Sequence, residues 1–345
     1  MPKVDIKALS EFMYKVLISI GLNDLHARWT CEACMRATVR GVGHHDINNY
    51  PDRLKSMVSG KINVKPAIEL INKYQALECY EGDNGPGEVC CTFIIERGKF
   101  LAEQYGIGFC TVINSNHFLA SAPYVEKAAE EGYIAILFTR GSPLMGAPGR
   151  KEQVISVCPM GFSAPNGKQY PFLADMCLTY ASGELLADKI KKGEKVPYYW
   201  GLDEKGNPTS DPSMIQNGGT RAPIGGHKGF ALSIMAEIFT GILSGGQVID
   251  EPSPLTGNPG TASQAAIVLK LQGLMPIEKF TKRMSDMIDR IEARAPGIHI
   301  PGQGSYYNKM KFTNEQKIEL DYGLINSLNK IAEELLVEAI HYQES

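Results

Sequence analysis

The residues of this chain best placed to do chemistry are histidines at the ends of apolar runs. Thr111-Val-Ile-Asn-Ser-Asn-His117-Phe118 sets an imidazole just past such a run, where the C-terminal end of a strand presents side chains to a crevice. His117 is there either as an acid/base or as a structural histidine hydrogen-bonded in a strand-to-helix turn. His44-His45-Asp46 follows Arg40-Gly-Val-Gly43, giving two imidazoles and a carboxylate in a glycine-flanked turn. A neighbouring carboxylate can fix an imidazole's tautomer, so this is a second proton-transfer candidate. Adjacent side chains diverge, so at most one of the pair enters a site, and a solvated polar turn is the competing reading.

Other stretches suit anions. Gly225-Gly-His227-Lys228-Gly-Phe230 runs straight into the apolar segment Ala231 to Leu243. Glycines let a phosphate approach the backbone, a helix N-terminus offers free N–H groups, and Lys228 adds a point charge. A plain glycine-rich helix start with a surface lysine is the alternative. Thr139-Arg140-Gly-Ser142-Pro143 closes an apolar run with a guanidinium that can grip a carboxylate through two parallel hydrogen bonds. Pro171-Phe-Leu-Ala-Asp175-Met176-Cys177 ends another run in a carboxylate, able to orient a histidine or accept from a ribose hydroxyl, or to serve as a turn residue.

The elements that must hold these groups show in the periodicity. Leu9, Phe12, Val16 and Ile20 predict an amphipathic helix from about Asp5 to Ile20, stopped at Gly21. A second helix starts at Asn23 or Asp24, good N-cap types, and ends before Arg40-Gly41. Leu324, Leu328, Ile331 and Leu335 mark a similar helix near the other end, and the apolar faces of the two termini predict that they pack together on a shared body. Between them lie short β-rich runs at Ala76 to Tyr80, Gly108 to Ile113, Ile134 to Thr139, Pro171 to Met176 and Ala265 to Leu271. Helical stretches at Cys90 to Tyr105, Ser121 to Gly132 and Gly229 to Leu243 alternate with them. That alternation predicts an α/β core.

Composition narrows the function. Of 345 residues, 43% are hydrophobic and 21% charged, enough for two packed lobes, and a net charge of −3 offers no basic field for a polyanion, so nucleic acid is not an expected partner. No apolar run approaches the roughly 20 residues that span a bilayer, and the N-terminal stretch does not read as a signal peptide. A cytoplasmic setting and no membrane partner are expected. The eight cysteines are scattered, as reduced core residues are, and Cys31-Glu-Ala-Cys34 lacks the second pair a zinc site requires, so no metal is expected. The dinucleotide fingerprint G-x-G-x-x-G is absent, since Gly106-Ile-Gly108 enters a strand instead of leaving one. Gly161-Phe-Ser-Ala-Pro-Asn-Gly167-Lys168-Gln169 likewise fails as a P-loop.

Taken in order, Arg40-Gly-Val-Gly-His-His45, Asn-His117-Phe, Ser142-Pro143, Phe172-Leu-Ala-Asp175-Met, Trp200 to Pro212, Gly225-Gly-His-Lys-Gly-Phe230 and Ile300-Pro-Gly302 resemble the type 2 malate/L-lactate dehydrogenase family. That family also takes in ureidoglycolate dehydrogenase, diketogulonate reductase, sulfolactate dehydrogenase and piperideine-carboxylate reductase. The resemblance implies a non-Rossmann NAD(P)-binding fold with a mixed-sheet α/β core. It also implies a helical domain formed by the two chain ends, residues 1–75 plus 312–345, and a cofactor-binding and dimerisation region at 76–311. The expected activity is hydride transfer between NAD or NADP and a small 2-oxo acid/2-hydroxy acid pair in a homodimer, oxaloacetate/malate being the first choice. A cyclic imino acid reductase, a ureidoglycolate dehydrogenase or a non-catalytic nucleotide-binding relative are the alternatives.

The resemblance further implies that His117 or His45 handles the proton, His117 being preferred. The cofactor is expected to lie against Ser142, Asp175, Met176, Cys177, His227 and Lys228. The family's turn carries an arginine and a tyrosine that can hold the substrate. This chain has His44-His45-Asp46-Ile-Asn-Asn-Tyr50 with no arginine there, which leaves Arg140, then Arg53, with Tyr50, as the expected substrate contacts.

Overall fold

The computed structural model describes residues 1–43, 45–252 and 262–344, so His44 of the double-histidine turn lies outside the described residues. Helix Ile6–Ile20 starts where Asp5 accepts the Ala8 N–H and stops at left-handed Gly21; helix Asp24–Arg40 is capped by Asn23 and ends at left-handed Gly41. With Tyr50–Val58 and the C-terminal helix Tyr322–Glu334, these bury one apolar core. Leu9, Leu17, Ile325 and Leu328 are fully inaccessible in it, and burying each such side chain is worth about 1.5–3 kcal/mol. A short antiparallel pair, Lys3–Asp5 with Lys317–Glu319, fastens the two chain ends together.

The second body is a seven-stranded sheet. Its order is Glu69–Tyr74, Leu77–Glu81, Ile107–Ser115, Ala262–Lys270, Tyr133–Arg140, Met160–Ala164 and Phe172–Met176. Only the Leu77–Glu81 and Ile107–Ser115 pair is parallel. Strand Ala262–Lys270 is inserted antiparallel between two strands that would be neighbours in a doubly wound sheet, and the sheet is mixed and not of the Rossmann kind. The expected strands and helices all form, within a few residues at their ends. The hairpin Glu69–Tyr74/Leu77–Glu81 straddles residue 75, so the segment just before it joins the sheet.

Helices Gly87–Tyr105 and Ala122–Glu130 cover one face of the sheet through Ile94, Leu101, Val125 and Ala128. Helix His227–Glu237 and the π turn Ile238–Ile242 cover the other through Ala236 and Phe239, the latter ring stacked 5.5 Å from Phe138. A four-stranded sheet, ordered Gly201–Leu202, Thr220–Arg221, Pro143–Gly146 and Gln153–Ser156, sits beside it, with helix Gly183–Lys192 nearby. The ends of the large sheet, the small sheet and the helical body thus converge on one crevice.

Candidate active site

That crevice has a volume of about 1020 Å³. Small-molecule sites commonly run to about 300–1,000 Å³, so there is room for a dinucleotide with a small acid beside it.

His117 reaches the crevice from the turn after strand Ile107–Ser115. The turn fits because residue 87 is glycine: a Cβ there would come within 2.4 Å of the Asn116 carbonyl oxygen and 2.5 Å of the His117 one. Asn116 Nδ2 pins the turn by donating to the carbonyls of Asn84 (2.8 Å) and Gly85 (3.1 Å). Leu119 adopts a φ of 67°, a conformation costly for a side-chain-bearing residue, and its N–H donates to His117 Nδ1 at 3.3 Å. That bond assigns Nδ1 as acceptor and leaves Nε2 as the protonated nitrogen of the neutral ring. The ring opens to the cavity but is walled by protein on its other sides. That enclosure pulls its pKa down to about 3, helped by the charges of His45 and Arg53 and opposed by Glu184.

The His45 ring centroid lies 5.2 Å from that of His117, and His45 Nε2 faces Glu184 Oε2 at 3.3 Å. Glu184 sits in the first turn of helix Gly183–Lys192, where Ser182 accepts the Leu185 N–H as N-cap. Burial works against its ionisation, but hydrogen bonding and charge from His45 prevail and hold it at about 2, so a carboxylate faces His45 at any neutral pH. Two imidazoles, one backed by a carboxylate, thus share a crevice wall.

Asp175, at the end of strand Phe172–Met176, borders the same space. Its carboxylate accepts from the Ser121 hydroxyl (2.5 Å) and the Ala122 N–H (2.9 Å), capping helix Ala122–Glu130. Burial nonetheless pushes its pKa up, those bonds opposing. Ser142, Met176 and Cys177 also line the crevice. His227 and Lys228 are exposed in the first turn of their helix and do not line it; Ile224 is the residue of that stretch which does.

The arginines expected as the carboxylate clamp already have partners within the protein. Arg140 borders the crevice, but its fully buried guanidinium pairs with Glu237 at 2.9 Å and donates to the Ile249 carbonyl at 2.9 Å. Arg53 and Tyr50 do not line the crevice. Arg53 makes a two-pronged ion pair with Glu88, and the Tyr50 hydroxyl lies 3.2 Å from both Glu88 Oε1 and the Thr30 carbonyl. Sequence reasoning missed Glu184 and Arg221, which line the crevice, because Ser182-Gly-Glu184 reads as an ordinary helix start and Thr220–Arg221 is a strand of two residues.

Residues 4–329 match the malate/L-lactate dehydrogenase family, and the chain belongs to it. Malate dehydrogenase of Pyrococcus horikoshii is 28% identical over 343 residues, 96% of this chain and 95% of the relative. L-Sulfolactate dehydrogenase of Methanocaldococcus jannaschii is 29% identical over 95% of this chain and 96% of the relative. A solved structure of sulfolactate dehydrogenase from that organism superposes with a TM-score of 0.88, covering 98% of both chains at 28% identity. The 2,3-diketo-L-gulonate reductase of Citrobacter koseri is 26% identical over 91% of this chain and 95% of the relative. This chain is an enzyme of that group, an oxidoreductase.

Proposed function

We propose that the protein interconverts a small 2-oxo acid and its 2-hydroxy acid at the His45–His117 wall, oxaloacetate/malate being the first choice. The observation that carries this reading is the pair of imidazoles 5.2 Å apart on one crevice wall, with Glu184 behind His45. The relatives named malate and sulfolactate dehydrogenases support an acidic substrate.

A bound nicotinamide supplies or accepts the hydride. His117 is held neutral, and giving up its one N–H would leave an imidazolate, so its part is to donate a hydrogen bond from Nε2 to the substrate's C2 oxygen. The proton for the developing alkoxide comes from His45, whose positive form is charge-compensated by Glu184. With Nε2 against Glu184, Nδ1 is the nitrogen that exchanges it. This reverses the preference for His117 drawn from the sequence. Ser142, Asp175, Met176 and Cys177 border the space for the cofactor, and the crevice volume accommodates it. A homodimer is supported by Ile234, Ile238 and Ile242, which lie four residues apart and stay exposed on the side of their helix turned away from the sheet.

The test is a substrate panel with NADH and NADPH in parallel: oxaloacetate, pyruvate, sulfopyruvate, a diketo sugar acid and a cyclic imino acid. Fastest turnover of a 2-oxo acid supports the reading. Turnover of the imine alone transfers the protein to C=N reduction, and cofactor binding with no turnover removes the enzymatic reading of this crevice.

A further inference from the structure

Three arginines line the crevice, and their partners differ. Arg40 is engaged by Glu126 and by the Ser305 hydroxyl, and Arg140 by Glu237. Arg221 makes no ion pair among the described residues. Its one side-chain hydrogen bond among those residues goes from Nη2 to the neutral amide oxygen of Gln216 at 3.1 Å. Protein packed around the guanidinium disfavours its charge and lowers its pKa, and Glu184 compensates in part. A partly desolvated guanidinium without a carboxylate is a costly thing to leave in a wall.

Its position is set from two sides. Arg221 is held in the small sheet by pairing with Gly201 and Met145. Its guanidinium lies against the start of helix Gly183–Lys192: a Cβ on Gly183 would stand 2.8 Å from Nη2. The next residue is Glu184, the carboxylate that faces His45 at 3.3 Å. The cation therefore stands beside the proposed reacting pair. Glu184 also creates a problem there, since an anionic substrate brought to His45 meets a fixed negative charge. A guanidinium beside Glu184 offsets that repulsion and offers a planar fork to an oxyanion.

We propose that Arg221, lying over Gly183 beside the His45–Glu184 pair, is the residue that binds the carboxylate of the substrate and sets the enzyme's requirement for an acid. It takes the place in which Arg140 or Arg53 was expected. The proposal rests on the reading of the crevice as a 2-oxo-acid site, and names the group that orients that acid.

The experiment uses the full-length enzyme saturated with its cofactor. Arg221→Gln raises KM for the preferred 2-oxo acid and lowers kcat/KM by about 10- to 100-fold, the range a hydrogen bond to a charged group is worth, while Kd for NADH from fluorescence titration moves less than about 2-fold. Arg221→Lys restores only part of the loss, because charge returns without the fork. Gly183→Ala keeps the arginine but crowds its Nη2, and raises KM in the same direction. A loss shared by pyruvate and oxaloacetate puts the fork on the carboxylate next to the carbonyl; a loss confined to oxaloacetate puts it on the distal one. An unchanged KM in Arg221→Gln, or a rise in the Kd for NADH with KM constant, overturns the proposal, the second outcome giving Arg221 to a cofactor phosphate. Calorimetric binding of oxalate to the enzyme–NADH complex reads the same site without turnover. If the wild type reduces no 2-oxo acid, the functional reading fails, yet loss of oxalate binding in Arg221→Gln still supports the anion site and its retention sinks it.

Discussion

Two sets of charged residues lie within this fold, a few side chains apart, and they obey different rules. In the framework, Arg53 meets Glu88, Arg140 meets Glu237, and Glu126 receives Arg40 and Lys309. Each cation there has its carboxylate, and Glu126 is held at about 2 because Arg40 and Lys309 outweigh the burial that opposes its ionisation. Around His45 and His117 in the crevice the balance is left open: His117 is forced neutral, Glu184 is pinned ionised against His45, and Arg221 among the described residues bonds only an amide. Framework pairs close on themselves and fix positions, whereas the wall groups keep capacity for a ligand. Substitutions should therefore separate the two sets, the framework through stability and the wall through turnover.

The largest effect expected is at His45. His45→Gln lowers kcat by about 10²- to 10⁴-fold, the worth of a positioned acid/base, while the thermal midpoint and the Kd for NADH stay near wild type. Steady-state kinetics beside a melting curve checks it. Normal turnover would place the proton elsewhere on the wall.

Next is Glu88→Ala, which strips Arg53 of its partner inside the helical body and costs about 3–5 kcal/mol of stability, read by denaturant unfolding. Surviving folded enzyme should keep its kcat. A fall in kcat with unchanged stability would mean that Arg53 belongs to the wall after all.

How much of this contrast is legible in the sequence follows from how far each signal reaches. Helices Ile6–Ile20 and Asp24–Arg40 are written locally, in apolar spacing, in Asp5 and Asn23 as caps and in Gly21 and Gly41 as stops. His117 and His45 stand out by type and by the turns they occupy. Their 5.2 Å approach joins residues more than seventy positions apart and has no local signature. The same holds for the arginines. An arginine that grips a ligand and one that grips a glutamate look alike in sequence, and the deciding partner, Glu237 for Arg140 or Glu88 for Arg53, is brought in by tertiary packing. Strand Ala262–Lys270 was legible as a strand, but its insertion between Ile107–Ser115 and Tyr133–Arg140 was not, since strand order is a long-range property.

His117→Gln sharpens the division inside the wall. Losing a hydrogen bond to the substrate oxygen, but not the proton donor, lowers kcat/KM by about 5- to 10-fold, less than His45→Gln does. Its stability carries a second signature. The native His117 titrates near 3, while the unfolded side chain titrates near 6.5. As pH falls below 6.5 the unfolded chain takes a proton that the folded one refuses, and wild-type stability drops down toward pH 3. Glutamine removes that linkage, so the variant gains on wild type as pH falls from 7 to 5. Parallel melting curves without such a gain would mean that His117 titrates normally in the crevice.

The smallest effect is expected at Lys228, which the sequence put at a phosphate and the structure puts on the surface. Its ammonium is exposed in the first turn of helix His227–Glu237 and does not line the crevice. An exposed charge acting across solvent is worth about 0.2–1 kcal/mol and weakens as salt screens it. Lys228→Ala should therefore raise the Kd for NADH by no more than about 5-fold, leave kcat unchanged, and flatten the dependence of Kd on ionic strength. Fluorescence titration of NADH at several salt concentrations reads all of this except kcat. An unchanged Kd at every salt makes Lys228 a bystander and leaves the contrast between framework and wall intact. A loss of 100-fold would break it, because a surface cation would then behave as a wall residue. The glycines at 225 and 226, both at positive φ, would have to swing the helix start onto the bound diphosphate.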